Sequence, residues 1–166
     1  MKKHTLNFDL VEYKGHADLD DEARVLLRKA EEGMAGSHSP YSHFRVGAAV
    51  LLDNGAVITG SNQENAAYPS GLCAERVALF MAGSMHPGVP VKAVAVFVSS
   101  DAHDSNGPAA PCGACRQVMA EYRSMSDQPM RILMGRKDAS VYEVSDISAL
   151  LPLMFTAKDL KKKGNY

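Results

Sequence analysis

The residues with the clearest chemical potential are three cysteines and one glutamate. Two cysteines form a Cys-x-x-Cys pair, Cys112 and Cys115, and the third opens the run Cys73-Ala74-Glu75. An odd number of cysteines does not suit a disulfide framework, whereas redox sites and metal sites both use Cys-x-x-Cys pairs. Both motifs lie where a loop enters a predicted helix, just after a Pro- or Gly-containing stretch, and this shared setting favours one metal site.

The N-terminus of a helix suits a thiolate ligand. It carries unpaired N–H groups and a partial positive charge, which lower the pKa of a cysteine. Thiolates select zinc over calcium or magnesium, and three protein ligands leave one tetrahedral position open, as in catalytic zinc sites. The sequence therefore predicts one zinc ion per chain, held by Cys73, Cys112 and Cys115, with water at the open position.

Two charged residues beside Cys73 extend this prediction. Three thiolates outweigh the charge of one Zn²⁺ ion, so a further donor is needed before water there ionises near neutral pH. Arg76 is the candidate donor to a thiolate sulfur, and a surface salt bridge is its alternative. A glutamate in a first helical turn is common for dipole reasons alone. Because Glu75 stands two residues from a candidate ligand, we interpret it as a general acid–base group.

Hydrophobic periodicity predicts the elements that must position these residues. Helices are predicted at residues 19–34, with Asp18 as N-cap, at 73–82 and at 111–122. Strands are predicted at residues 46–52, 56–60, 91–99, 130–134 and 141–144. The first two of these strands flank an Asn-Gly turn and predict a hairpin. A short strand at residues 6–11 and a loosely held extension are equal alternatives. Alternating strands and helices predict a layered α/β domain.

The composition fits one ordinary domain. The 166 residues are 46% hydrophobic and 22% charged, close to globular averages. Lysine and arginine number 18 and aspartate and glutamate 19, so the net charge of -1 does not favour a nucleic-acid partner. The chain has no apolar run of membrane-spanning length and no secretory signal at its start. We therefore expect no membrane partner and a cytoplasmic location.

Together the motifs resemble the zinc-dependent cytidine deaminases, specifically the small, three-cysteine, homotetrameric type. The matching segments are Tyr41–Ala49, Asn62–Pro69, Cys73–Arg76, Pro111–Gln117 and Leu150–Pro152 with Phe155 after them. The resemblance implies a three-layer α/β/α sandwich with a mixed sheet of about five strands.

It also implies hydrolytic deamination of cytidine and deoxycytidine to uridine and deoxyuridine, as in pyrimidine salvage. We expect an N-terminal extension at residues 1–17, a catalytic domain at 18–160 and a basic tail at 161–166.

The resemblance also implies a role for individual residues. The three cysteines would hold zinc and Glu75 would shuttle protons. Asn62 and Glu64 would hydrogen-bond the ribose, and Phe44 would pack on the base. In the expected homotetramer, Ala66 and Tyr68 would reach into a neighbouring subunit's site and Phe155 would close a third subunit's site. The chain departs from the usual family pattern at Ser61, Gln63, Leu153 and Met154.

Three other functions stay open at this stage. One is a related deaminase with another substrate, such as a nucleoside-like antibiotic or a base within RNA or DNA, although no basic-aromatic stripe favours a polynucleotide. Another is a zinc-stabilised binding module with a histidine as fourth ligand, but no histidine has the usual spacing to the Cys-x-x-Cys pair. The third is a dithiol oxidoreductase using Cys112 and Cys115, which leaves Cys73 and Glu75 without a purpose.

Overall fold

The computed structural model describes residues 1–100, 107–137 and 139–160, and the centre of the molecule is one mixed sheet. Six strands of this part of the chain lie in the spatial order β1-β6-β5-β4-β2-β3. They are β1 (Val11–Tyr13), β2 (Phe44–Leu52), β3 (Val57–Ser61), β4 (Val91–Ser100), β5 (Arg131–Arg136) and β6 (Val141–Val144). The helices are α1 (Asp21–Gly33), α2 (Ala74–Met85), α3 (Gly113–Arg123) and the short α4 (Ala157–Leu160).

The strands β2 and β3 form the predicted antiparallel hairpin. Its turn contains Asn54 and Gly55, and Gly55 adopts φ +83°, a left-handed conformation that glycine takes without steric cost. The strand β4 pairs antiparallel with β2 and parallel with β5, so α3 lies in the crossover between two parallel strands. This crossover carries the Cys-x-x-Cys pair, and residues 101–112 lie between the end of β4 and the start of α3.

Helices cover both faces of the sheet, which confirms the predicted three-layer α/β/α sandwich. The residues of α1 that pack on one face are Ala23, Leu26, Leu27 and Ala30. On the opposite face, α2 and α3 contribute Ala74, Ala78, Leu79, Ala82 and Met119 to the larger core. Within the described ranges, no helix combines the length and the apolar character that crossing a membrane requires.

The sheet has one strand more than the predicted five, and this strand is β1. It pairs antiparallel with β6, from Val11↔Glu143 to Tyr13↔Val141. The predicted strand at residues 6–11 is therefore misplaced, because hydrogen bonding to the four-residue β6 begins only at Val11 and residues 1–10 have no regular structure. The loop segment 101–106 and the tail 161–166 lie outside the described residues, and the division into 1–17, 18–160 and 161–166 stays a prediction.

The first helix begins two residues later than predicted, since its N-cap is Asp20 and not Asp18. The Asp20 carboxylate accepts a hydrogen bond from the N–H of Ala23 at 2.7 Å. It also pairs with Arg131 at 2.7 Å, and Arg131 in turn forms two hydrogen bonds to Glu143 at 2.7 and 2.8 Å. These contacts lower the pKa of Asp20, with the Arg131 hydrogen bond as the main cause. The network joins α1 to β5 and β6.

A glycine in β3 lets α2 approach the sheet closely. A Cβ atom added at Gly60 would lie 2.6 Å from the Ala78 nitrogen and 2.7 Å from the Ala74 oxygen. Real Cβ contacts are essentially never that short, so the backbone of α2 rests directly on β3 because residue 60 has no side chain. This contact sets the height of the first turn of α2 above the sheet, where Cys73 and Glu75 lie.

Candidate active site and metal centre

The N-termini of α2 and α3 bring the three cysteines together. Cys73 is the N-cap of α2 and Cys112 is the N-cap of α3, both with extended backbone conformations. Cys115 lies in the first turn of α3 and is buried. Neither N-cap cysteine hydrogen-bonds its own helix through the side chain. The sulfur atoms are thus directed to one another, at helix ends that favour thiolates.

The sulfur atoms have the spacing of a zinc site. All three lie within 4.8 Å of one another, with 3.7 Å between Cys73 and Cys112 and 3.5 Å between Cys112 and Cys115. Tetrahedral zinc with bonds of about 2.3 Å requires sulfurs about 3.8 Å apart. Within the part of the chain that the structure describes, no histidine or carboxylate joins this cluster. The described residues therefore fit one zinc ion with a fourth position open to water or substrate, and none of the described histidines fills that position.

Arg76 stabilises negative charge on the Cys73 sulfur. Hydrogen bonds, first from Cys115 and then from Arg76, lower the pKa of Cys73 to about 5. The pKa of Cys115 is raised, because its thiol is hydrogen-bonded to Cys73 and desolvated by burial. The Nη2 of Arg76 lies 3.8 Å from the Cys73 sulfur, and its buried Nε has no hydrogen-bond partner among the described residues. These contacts favour the predicted donor role of Arg76 over a surface salt bridge.

Glu75 is a buried carboxyl beside this cluster, with 4% of its surface exposed. Burial raises the pKa of Glu75, and the nearby Cys73 charge acts in the same direction. Hydrogen bonds from its own backbone N–H and from Cys115 oppose this shift, as does the charge of Arg76. A carboxyl whose protonated form is favoured by its surroundings can accept a proton and later return it. Its position is the one expected of a general acid–base group.

A cleft of about 710 Å³ opens at the cluster, large enough for a nucleoside-sized ligand. Four predicted residues of the metal centre line it: Cys73, Glu75, Arg76 and Cys112. Four predicted substrate residues line the same cleft: Phe44, Asn62, Glu64 and Tyr68. The structure therefore brings together the cysteine cluster, the predicted acid–base group and four of the six expected substrate residues.

The side chain of Asn62 is largely used by the protein itself. Its Oδ1 accepts hydrogen bonds from the Ser37 hydroxyl at 2.5 Å and from the Val46 N–H at 2.9 Å. Its Nδ2 donates to the Phe44 carbonyl at 2.9 Å. An amide side chain has two acceptor positions and two donor hydrogens, so one N–H of Asn62 is left for a ligand.

Glu64 is held by the turn that precedes β2. The N–H groups of Tyr41 and Ser42 donate to its Oε2 at 3.0 and 3.3 Å, and the Ser42 hydroxyl donates to its Oε1. These bonds lower the pKa of Glu64, the Ser42 hydroxyl being the main cause. A carboxylate accepts about four hydrogen bonds, so three of these positions are filled by the protein. With respect to the described residues, Glu64 therefore keeps capacity for about one further donor.

The residues expected to act across subunits lie away from their own metal centre or at the mouth of the cleft. Phe155 is 56% exposed and does not line the cleft, and neither does Ala66. Tyr68 is 78% exposed and packs edge-on against Tyr41, with ring centroids 6.3 Å apart. Leu153, one of the departures from the family pattern, is exposed and adopts φ +57°. The backbone two residues before Phe155 thus has a left-handed conformation.

Sequence reasoning assigned no role to two polar residues that follow the Cys-x-x-Cys pair. Arg116 donates to the carbonyls of Pro111 at 2.7 Å and Leu150 at 2.8 Å. Gln117 donates to the Phe155 carbonyl at 2.8 Å. The helix that carries two of the metal ligands therefore also holds the segment that presents Phe155. The only sequence signal for these contacts was their place in the same short motif.

The fold and the site together define a class of protein: an α/β/α metalloenzyme domain with a three-thiolate zinc centre and a buried carboxyl. Comparison with known proteins narrows this class. Residues 20–127 match the family profile described as the cytidine and deoxycytidylate deaminase zinc-binding region. A cytidine deaminase of Halalkalibacterium halodurans is 42% identical over 137 residues, covering 82% of this chain and 96% of the relative. Another, from Sporosarcina psychrophila, is 39% identical over 136 residues, covering 81% and 92%.

Solved structures agree with this comparison. The crystal structure of a cytidine deaminase from Burkholderia pseudomallei has a TM-score of 0.70 and 36% identity, covering 82% of this chain and 100% of the other. That of the Mycobacterium tuberculosis cytidine deaminase has a TM-score of 0.63 and 32% identity, with coverages of 82% and 98%. The chain belongs to the cytidine and deoxycytidylate deaminase family.

Proposed function

We propose that this protein catalyses the hydrolytic deamination of cytidine and deoxycytidine to uridine and deoxyuridine, with release of ammonia. The observation that carries the proposal is that one cleft is lined by a buried carboxyl, by two cysteines of the zinc-competent cluster and by the expected base contact and sugar contacts. Relatives that share most of the length of this chain are named cytidine deaminases. The reaction belongs to pyrimidine salvage.

Glu75 is the residue that moves protons in this proposal. Zinc, when bound by the three cysteines, supplies a Lewis acid that lowers the pKa of water at its open position. The Glu75 carboxylate accepts a proton from the attacking water and delivers it to ring nitrogen 3 of cytosine. After water has added to ring carbon 4, Glu75 takes a second proton from the new hydroxyl group and passes it to the amine, and the bond between carbon 4 and the amine nitrogen breaks to release ammonia. Its burial excludes bulk water from these transfers and favours the protonated form between them.

Residues around the cleft hold the nucleoside. We propose that the Phe44 ring packs on the base, since it lines the cleft beside the cluster. The free N–H of Asn62 and the unfilled position on Glu64 together offer one donor and one acceptor. That pair matches a sugar hydroxyl, which accepts from Asn62 and donates to Glu64.

We propose a homotetramer with active sites shared between subunits. Between Arg76 and Met85 the helix α2 has no charged residue, and its outer face exposes Phe80, Met81 and Met85. Burial of such a face in a second copy of the chain removes apolar surface from water. The exposed side chains of Phe155, Ala66 and Tyr68 would then enter neighbouring clefts. A cytoplasmic location is also proposed, because a reducing compartment keeps thiol ligands reduced.

The experiment that tests the proposed reaction follows the loss of cytidine absorbance. We expect turnover of cytidine and deoxycytidine, loss of activity in a strong zinc chelator, and recovery on adding zinc. Cytosine, adenosine and a cytosine-containing oligonucleotide serve as competing substrates. Faster turnover of the oligonucleotide, or full activity in chelator-treated protein free of zinc by elemental analysis, would contradict the proposal.

A further inference from the structure

One hydroxyl group connects two residues of the proposed substrate site. The Ser42 Oγ donates to Oε1 of Glu64 and accepts from the backbone N–H of Phe44 at 3.0 Å. It therefore lies between the carboxylate that would contact the sugar and the first residue of β2, whose ring would pack on the base. The hydroxyl donates to Glu64 and accepts from Phe44, and both of these residues are proposed to contact the substrate.

The backbone conformation of the turn around Ser42 places the Ser42 hydroxyl between Glu64 and Phe44. His43 adopts φ +55°, which a non-glycine residue keeps only where its surroundings impose it. The N–H of His43 donates to the Ser39 carbonyl at 3.1 Å, and the N–H of Glu64 donates to the His38 carbonyl at 2.8 Å. The turn and the strand end that carries Glu64 are thus joined by backbone hydrogen bonds as well as by Ser42.

We propose that Ser42 is a positioning residue for nucleoside binding, which fixes the Glu64 carboxylate relative to Phe44. The inference rests on the proposed function, because it requires that these two residues contact the nucleoside. Ser42 contacts neither the cysteine sulfurs nor Glu75 through the hydrogen bonds described for it. Its effect is therefore on how well the sugar and base are held together, and the chemical step does not involve it.

The test begins with steady-state kinetics of Ser42→Ala and Ser42→Thr on cytidine. We expect Ser42→Ala to raise KM about tenfold with kcat within about twofold of wild type, because a hydrogen bond to a charged group is lost from binding alone. Ser42→Thr keeps the hydroxyl at an exposed position and restores KM. Ser124→Ala is the matched control, since it also removes a serine hydrogen bond, to the Glu121 carbonyl at 2.7 Å, outside the cleft.

A double-mutant cycle with Glu64→Ala separates positioning from general stability. If Ser42 acts through Glu64, Ser42→Ala changes kcat/KM far less in the Glu64→Ala background than in wild type, because alanine offers no acceptor to the Ser42 hydroxyl. Equal effects in both backgrounds, an unchanged KM, or a kcat that falls as much as kcat/KM would each overturn the inference. The two proposals fail separately: wild-type protein without cytidine turnover overturns both, whereas turnover with a normal Ser42→Ala KM overturns only this one. Zinc content and melting temperature show that the variants fold.

Discussion

At the scale of single residues, hydrogen-bonding capacity limits what the sugar contacts can recognise. A carboxylate and an amide could in principle serve two ribose hydroxyls, as their residue types alone suggest. In the folded protein, three acceptor positions of Glu64 and three of the four hydrogen-bonding positions of Asn62 are already occupied. The pair retains one acceptor and one donor, which is the complement of a single hydroxyl.

This count predicts an asymmetry between the two ribose hydroxyls. Removing the hydroxyl that bonds Asn62 and Glu64 leaves both groups unpaired and should lower kcat/KM about 10- to 100-fold. Removing the other hydroxyl should change kcat/KM by less than about threefold. The measurement compares cytidine with 2′-deoxycytidine and 3′-deoxycytidine under identical conditions. Equal losses for the two analogues would show that the pair serves both hydroxyls.

A second prediction at this scale concerns Glu75. Because one carboxyl serves several proton transfers, Glu75→Ala should lower kcat at least about 10⁴-fold. Glu75 is not one of the clustered ligands, so the variant should still bind one zinc per chain, measured by elemental analysis. Glu75→Gln keeps the shape of the side chain and serves as the control for packing. A variant that retains a tenth of wild-type turnover would rule out the assigned role.

At the scale of elements, the metal centre depends on how closely α2 lies on the sheet. Replacing Gly60 by alanine would place a Cβ against the backbone of Ala78 and Ala74, where no side chain can move aside. We expect Gly60→Ala to lower the free energy of unfolding by about 1–3 kcal/mol. Because α2 carries Cys73 at its start, zinc affinity should fall as well.

Denaturant unfolding and competition with a zinc-binding dye measure these two effects. Gly15→Ala is the matched control, since a Cβ at Gly15 meets no atom within 4 Å and its φ of -171° is extended backbone. Unchanged stability and zinc affinity in Gly60→Ala would mean that α2 can shift without disturbing the cluster.

Elements with strong periodicity were predictable from the sequence, and weak or contingent ones were not. The hairpin β2–β3 and the helices α2 and α3 follow from long apolar segments with clear turn signals, so the cysteines could be placed at helix starts. The strand β1 depends on a partner, β6, that is distant in sequence, and no local pattern fixes where pairing begins. The choice of Asp20 over Asp18 as N-cap likewise depends on Arg131, a tertiary contact.

Within the candidate site, too, local sequence patterns indicated some residues, whereas the contacts of others depend on the tertiary fold. The ligand set and Glu75 lie within two short motifs, and local spacing therefore indicated them. The occupied positions of Asn62 depend on Ser37 and Val46, and those of Glu64 on the turn at Tyr41 and Ser42. These partners are far away in sequence, so residue type suggested the contacts while only the fold shows how much capacity is left.

At the scale of the whole molecule, a single chain leaves its cleft open and much apolar surface exposed. The outer face of α2, the ring of Phe155 and the side chain of Tyr68 are all in contact with solvent. Exposed apolar groups of this kind mark interaction surfaces, and a second copy of the chain can cover them symmetrically. In the proposed tetramer, contacts between subunits would cover the exposed apolar surface and would also complete the open cleft.

The final prediction tests whether assembly and catalysis are linked. Light scattering after size-exclusion chromatography should give a mass of four chains for wild type. Met81→Asp places a charge on the outer face of α2 and should yield smaller species, because an unpaired charge is costly to bury in an interface. Its kcat/KM should fall at least about tenfold, since neighbouring Tyr68 and Phe155 side chains no longer complete the cleft. Met125→Asp, at a similarly exposed methionine outside α2, should change neither property. Full activity from a monomer at micromolar concentration would contradict the shared site.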